Sequence, residues 1–174
     1  MNQKQISARH HDFDNGLTLV SERVSGVQSV SLRCMVPAGA VFEDIHNLGA
    51  SSVCAEMLMR GAGGLDSREQ ADAFDRAGAL RDIDNSIRYM QFSVTALGHR
   101  IAEAIPLLMN MVLRPRMAAD SFAPAQERAL QGVASLADDP QQRAALAARD
   151  RHLPVPYNRS TLGTSDGIAS LDHK

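Results

Sequence analysis

The amino-acid sequence predicts an α+β fold in which helices cover a largely antiparallel sheet. Apolar and polar residues alternate along residues 30–36 and 87–97, which is the pattern of strands that bury one face. Apolar residues at helical spacing fill the segments between and after these strands. At 174 residues, with 44% hydrophobic content, the chain is long enough for one domain with an ordinary core.

Two strands are predicted before the first helix. Asn15-Gly16 is a turn signal, and the β-favourable residues after it predict a strand over 17–24. The next strand, over 30–36, has one apolar face made of Val30, Leu32, Cys34 and Val36. Pro37 follows this strand directly and ends it.

The first predicted helix spans about residues 48–60 and is apolar on nearly every side, which is typical of a buried helix. Gly61-Ala-Gly-Gly64 follows it and is interpreted as the helix terminator. Since these glycines follow a helix and do not link a strand to a helix, they do not predict a dinucleotide site. Glu56 is the exception within the helix, because an ionisable group on an apolar helix needs a partner or a cavity.

The remaining elements are predicted from capping signals and periodicity. A capping signal at Asp66–Gln70 begins a short helix that ends at Gly78. The strand over 87–97 follows, and its polar face is open to solvent or lines a cavity. Three more helices are then predicted over residues 101–112, 120–137 and 141–151. Asp138-Asp-Pro140 separates the last two, and residues 154–174 are expected to form loops and turns.

Charge and composition exclude several classes of function. The net charge is −2 and the 18 basic residues are scattered, so no footprint for nucleic acid or anionic lipid is present. No apolar run approaches the ~20 residues that a membrane span needs, and the start lacks the apolar stretch of a signal peptide, so a cytoplasmic location is expected. Cys34 and Cys54 lie in apolar patterns, which favours reduced core thiols over a disulfide or a metal pair.

A family resemblance is carried by residues 47–61, which read NLGASSVCAEMLMRG. They resemble the active-site helix of the insulinase/pitrilysin metallopeptidases (family M16), Gly-Leu-Ala-His-x-x-Glu-His-Met-Leu-Phe-x-Gly, with Gly49, Met57-Leu58 and Gly61 in register. Further landmarks are similar to the family in order and spacing: Asn15–Leu17, Val36–Gly39, Glu43–Asp44, Asp138–Pro140 and Leu162–Thr164. The resemblance implies the LuxS/MPP-like metallohydrolase form of the α+β fold.

The resemblance also implies which positions would carry the chemistry, and those positions have lost it. In the family, two His one helical turn apart bind zinc with a distal Glu, and the Glu between the two His is the base. Ser52 and Glu56 stand at the His positions, and Ala55 stands at the position of the base. The distal Glu falls at Gly132, which is 132 − 56 = 76 residues past Glu56. Serine is a poor zinc ligand and one carboxylate alone binds too weakly, so we expect no zinc, no other cofactor and no enzymatic activity.

The resemblance implies a non-catalytic partner or substrate-chamber subunit. A catalytic M16 chain or a second M16-like half would carry the zinc, and this chain would shape the chamber. An extended peptide laid against a sheet edge is the expected ligand, because edges supply main-chain hydrogen bonds. Two alternatives stay open: a structural or assembly protein that binds no peptide, and a zinc metallopeptidase with a displaced metal site. His46, the only nearby imidazole, lies before the helix and is interpreted as a solvent-facing loop residue.

Residues 1–174 are interpreted as an M16 N-terminal domain that is incomplete at its C-terminal end. The resemblance implies domains of on the order of 200 residues, normally duplicated in one chain. The sequence stops before the closing helix and strand of such a domain. We therefore expect at least one apolar sheet face or strand edge to be uncovered.

Overall fold

The computed structural model describes residues 8–173. Within this range the strands are β1 (Ala8–Asp12), β2 (Thr18–Glu22), β3 (Ser29–Val36), β4 (Gly61–Ala62), β5 (Leu65–Asp66), β6 (Leu80–Asn85) and β7 (Met90–Leu97). The α-helices are α1 (Ala50–Leu58), α2 (Ser67–Arg76), α3 (Ile101–Leu113), α4 (Phe122–Ser135), α5 (Pro140–His152) and α6 (Ser165–Ala169). Among the described residues, no helix is long and apolar enough to cross a membrane.

The main sheet has three antiparallel strands in the order β3-β7-β6, which confirms the predicted α+β class. The central strand β7 buries every second side chain, namely Met90, Phe92, Val94 and Ala96. Leu108 and Met111 of α3 and Phe74 of α2 are fully buried in the same cluster. Burying a side chain of this size contributes about 1.5–3 kcal/mol, so the layer of α2 and α3 on the sheet is a major source of stability.

A second apolar cluster joins α1 to α4 and α6. Its buried members are Val53, Met57, Ala125, Ala129 and Ile168. The small alanine side chains of α4 allow α1 to pack closely against it. Leu58 on α1 belongs to the first cluster, so α1 lies between two cores. This placement explains why the helix is apolar on nearly every side.

Both cysteines are half-buried free thiols, Cys34 on β3 and Cys54 on α1. Burial raises the pKa of each thiol above its ordinary value. Both side chains are therefore protonated at neutral pH, and a protonated thiol is a poor metal ligand and a poor nucleophile. The interpretation as core thiols agrees with their packing against the first cluster.

The hairpin of β1 and β2 stands apart from the main sheet. Within residues 8–173 these two strands pair with each other and neither joins β3, β6 or β7. Every residue from Ala8 to Ser31 is exposed, including Val20 (62%) and Val24 (61%). The hairpin and the segment after it therefore present apolar side chains to solvent.

Gly61–Gly64 does more than end α1. The segment around it forms a small hairpin in which β4 pairs with β5. Gly63 and Gly64 have φ angles of +61° and +89°, the left-handed conformations that a type I′ turn requires. The hairpin leads directly into α2, whose N-terminus carries the predicted capping box of Asp66 and Glu69.

Five elements are not predicted by the sequence patterns: β1, β4, β5, β6 and α6. β6 carries charged residues at alternate positions, and the strand predicted over 87–97 begins only at Met90. The prediction of loops over 154–174 is wrong at α6, which is too short to show helical periodicity. This helix is stabilised at its start by Thr164, whose Oγ1 accepts a hydrogen bond from the Gly167 N–H at 3.1 Å.

Candidate functional site

Helix α1 begins at a point where only glycine fits. Gly49, the residue before α1, has a φ angle of +111°, which residues other than glycine rarely adopt. A Cβ atom at Gly49 would also lie 2.4 Å from Cγ1 of Ile168 in α6. The glycine therefore allows α6 to pack directly against the start of α1.

The carboxylate of Glu43 holds the N-terminus of α1. Its Oε2 accepts a hydrogen bond from the Gly49 N–H at 3.0 Å, and its Oε1 accepts one from the Ser51 N–H at 2.8 Å. The hydroxyl of Ser51 donates to the same Oε1. A negative charge at a helix N-terminus satisfies free N–H groups and interacts favourably with the helix dipole.

Two other segments bind the Ser51 hydroxyl and the main-chain carbonyl of Glu43, and together with Glu43 and Ser51 they form the α1 anchor. Asn85, at the end of β6, donates from Nδ2 to Ser51 Oγ at 2.7 Å and to the Thr161 carbonyl at 3.0 Å. Arg159 donates from Nη1 to the carbonyl of Glu43 at 2.6 Å. The start of α1 is thus fixed by its preceding loop, by the sheet and by the segment before α6.

We expect Glu43→Ala to lower the free energy of unfolding by about 2–3 kcal/mol, because it leaves partly buried donors without a charged acceptor. Asp44→Ala is the matched control. The Asp44 carboxylate is exposed and accepts a hydrogen bond from the His46 N–H at 2.9 Å, so its loss should cost below about 1 kcal/mol. Urea unfolding followed by circular dichroism measures both, and equal effects of the two substitutions would contradict a special role of Glu43.

The positions predicted to align with the zinc ligands of the related family lie on α1 and α4. Ser52 and Glu56 are one turn apart and so share one face of α1. Ala55 packs against the first apolar cluster, so the position predicted for the base is part of the core. Gly132 lies on α4, which packs against α1, and a Cβ atom there would meet only Leu162, at 3.9 Å.

Glu56 has a partner that the sequence does not reveal. Its Oε1 lies 3.6 Å from Nε of Arg128 on α4, with 33% of the Glu56 side chain and 69% of the Arg128 side chain exposed. Arg128 precedes Gly132 by four residues, so both lie on the same face of α4. The ion pair therefore links the two helices, α1 and α4, that carry the predicted ligand positions.

The described side chains do not form a metal site. Among residues 8–173, no three His, Cys, Asp or Glu side chains are grouped so that they could hold a metal ion. His46 is exposed in the loop before α1, as expected. Sequence patterns do not identify Arg128 or Asn85, because both act across elements that are distant in the chain, although the unpaired charge of Glu56 signals that a cation is needed.

Comparison with known proteins connects this geometry to one family. The profile of the insulinase family (peptidase family M16) matches residues 18–164. Proteins described as uncharacterised zinc proteases from Mycobacterium tuberculosis (strain H37Rv) and Mycobacterium bovis are each 25% identical over 169 residues. The match covers 95% of this chain and 38% of each relative, so the chain spans well under half of their length.

Two solved structures share the fold. One is a peptidase M16 inactive domain from Pseudomonas fluorescens, 21% identical in sequence, and the other is a protease from Helicobacter pylori, 14% identical. Each superposes with a TM-score of 0.82 and covers 96% of this chain and 41% of its own. At these identities the similarity establishes the fold.

Proposed function

Because the chain belongs to the insulinase family of peptidases, M16, we propose that it is a non-catalytic domain that forms part of a peptide-binding chamber with a second M16-like domain. The observation that carries the proposal is the Glu56–Arg128 ion pair. It joins the helices that carry the predicted ligand positions, and Ser52, Ala55 and Gly132 would supply neither the other ligands nor the base.

The residues at these positions do not fit a zinc ion. Zinc in hydrolases is held by three protein ligands of His, Cys or carboxylate type, and its bound water needs a nearby base. Glu56 is the only such ligand at the predicted positions, and its carboxylate interacts with a guanidinium. A dication placed there would be repelled by Arg128. The role of the domain is therefore binding and assembly, and hydrolysis is left to another M16 domain.

The length of the relatives supports a partner domain. The chain covers 38% of the two zinc proteases and 41% of the two solved structures, so each of them contains room for at least one further domain of this size. One structure with this fold is described as an inactive M16 domain. A domain without catalytic residues is useful to a peptidase if it shapes the chamber and holds the substrate.

Strand β6 is the proposed contact of this domain with peptide. It lies at the edge of the main sheet and contacts α1. An extended peptide can add to such an edge as a further strand, with affinity supplied by main-chain hydrogen bonds. The substrate would then lie beside the face of α1 that carries Ser52 and Glu56.

We expect the purified chain to retain less than about 0.1 zinc ion per chain after mild dialysis and to cleave no peptide. Elemental analysis measures the zinc content, and a fluorogenic peptide assay with and without chelator measures cleavage. An M16 peptidase that has an intact zinc helix is the positive control. Near-equimolar zinc together with chelator-sensitive cleavage would favour a displaced metal site. A zinc-free chain that binds neither peptide nor a catalytic M16 chain would instead favour a purely structural role.

A further inference from the structure

We propose that the free edge of β6 selects extended peptides that carry Lys or Arg at two positions separated by one residue. The inference rests on the proposed function, because it assigns a substrate class to the peptide-binding edge. It depends on the main-chain groups of β6, on the two carboxylates beside that edge and on the absence of any ion pair to these carboxylates within residues 8–173.

The hydrogen-bonding pattern of β6 leaves alternate main-chain groups facing away from the sheet. The Ser86 N–H donates to the Tyr89 carbonyl at 2.9 Å, so this pair is a hydrogen-bonded one in the β6–β7 ladder. In an antiparallel ladder such pairs alternate. The N–H and C=O groups of Arg81, Ile83 and Asn85 therefore point outward, and within residues 8–173 they make no other main-chain hydrogen bond. A peptide strand can pair with all three residues.

Two carboxylates flank this edge on the solvent side of the sheet. Asp82 and Asp84 are exposed and share a face, because successive side chains of a strand alternate. Their neighbours across the sheet are Ser93 and Gln91 of β7. The Gln91 Nε2 lies 3.5 Å from Asp84 Oδ2, a contact that leaves the negative charge uncompensated.

No ion pair involves Asp82 or Asp84 in the described part of the chain. Arg33 lies on the same face, but Ser93 of β7 separates it from Asp82. Two strand spacings are about 10 Å, so Arg33 does not neutralise these carboxylates. An added strand would offer a place for a compensating charge.

A basic peptide is the occupant that this geometry favours. Residues of an added strand opposite Asp82 and Asp84 would have Cβ atoms about 4.5–5.5 Å from theirs, and a cross-strand pair of opposite charge contributes about 0.2–1 kcal/mol. Two such pairs correspond to between about 2-fold and 30-fold in affinity. Acidic residues at the same positions would be repelled.

The test uses the full chain immobilised on a sensor surface and three octapeptides with a common central Val. The peptides differ only at the two positions on either side of this Val, which are both Lys, both Gln or both Glu. We expect the Lys peptide to bind about 10-fold tighter than the Gln peptide at low salt, and the Glu peptide to bind weakest. Raising the ionic strength should reduce the difference, because exposed charges are screened. A version of the Lys peptide N-methylated on the amides that face β6 should lose binding.

Variants that remove charges test whether Asp82 and Asp84 cause the preference for the Lys peptide. Asp82→Asn with Asp84→Asn should remove the preference for Lys over Gln. The matched control, Glu127→Gln with Asp138→Asn, removes the same charge from the surface around α4 and should keep the preference.

Equal binding of the Lys and Gln peptides would overturn the inference and leave the proposed function standing. Loss of the preference in the control pair would overturn it as well. If neither peptide binds, or if a second copy of the chain binds the edge in their place, both the inference and the peptide-binding role fail.

Discussion

A variant with Ser52→His, Glu56→His and Gly132→Glu is expected to bind one zinc ion per chain, at least about 100-fold tighter than the unaltered chain (about 2.8 kcal/mol). The backbone is suited to the change. Ser52 and Glu56 share a helix face, and the Cβ of a residue at 132 would meet only Leu162 at an ordinary contact distance. Zinc per folded chain can be measured by elemental analysis, and affinity by competition with a chelating dye.

Arg128 makes this expectation more specific. Glu56→His removes its partner and leaves a guanidinium beside the new site, where its charge opposes zinc. Adding Arg128→Ala should therefore strengthen zinc binding further, by about 10-fold. Glu127→Ala, on the adjacent position of α4, is the matched control and should not strengthen it. None of these variants should cleave peptides until Ala55→Glu supplies a base.

A folded variant that gains no zinc would count against the alignment of Ser52, Glu56 and Gly132 with the family ligands. Circular dichroism and a melting curve establish folding in each case. Omitting Gly132→Glu leaves two His ligands, and zinc should then bind more weakly. If its omission makes no difference, position 132 does not face the site.

The second large effect concerns association: the isolated chain is expected to self-associate at micromolar concentrations. The outer edge of β3 is unpaired in the described part of the chain, and the separate β1–β2 hairpin exposes apolar residues. An uncovered strand edge and exposed apolar side chains each recruit other chains. Size-exclusion chromatography with light scattering should show species larger than the 18.8 kDa chain.

Substitutions on this surface should restore the monomer. Val20→Lys with Val24→Lys places charges on two exposed apolar positions at 62% and 61% exposure. Leu113→Lys, at the end of α3 with 72% exposure, adds charge elsewhere and should leave association unchanged. A second M16 domain that covers the same surface should also raise the melting temperature, because it binds only the folded state. A monomeric unaltered chain with no such response would contradict the expectation.

Sequence patterns predict the elements whose periodicity is set by a core. Strand β7 alternates because one face is buried, and α1 is apolar on nearly every side because it is packed between two cores. The predicted bounds of both elements therefore agree with the structure to within a few residues. Strand β6 escapes prediction because an edge strand can place charged residues on its open face. The role that we propose for it depends on Asp82 and Asp84, which in the sequence resemble an ordinary polar turn.

Only some residues of the candidate site can be predicted from short segments of the sequence. The predicted loss of a zinc ligand at Ser52 and of the catalytic base at Ala55 follows from the sequence of a single helix once its register is set. The partner of Glu56 cannot be predicted in this way, because Arg128 contacts Glu56 only after α4 has packed on α1. The same holds for Asn85, whose amide reaches α1 from the end of a strand that the sequence does not predict.

The α1 anchor also sets an order of events during synthesis. Glu43 and Arg159 are 116 residues apart in the chain, and Asn85 and Thr161 are 76 apart. At roughly 5–20 residues per second, Glu43 waits about 6–23 s for Arg159 to emerge from the ribosome. Helix α1 therefore spends that interval without its complete anchor, with an apolar surface open to chaperones. The contacts that complete the anchor join residues far apart in the chain, and contacts of this kind slow folding.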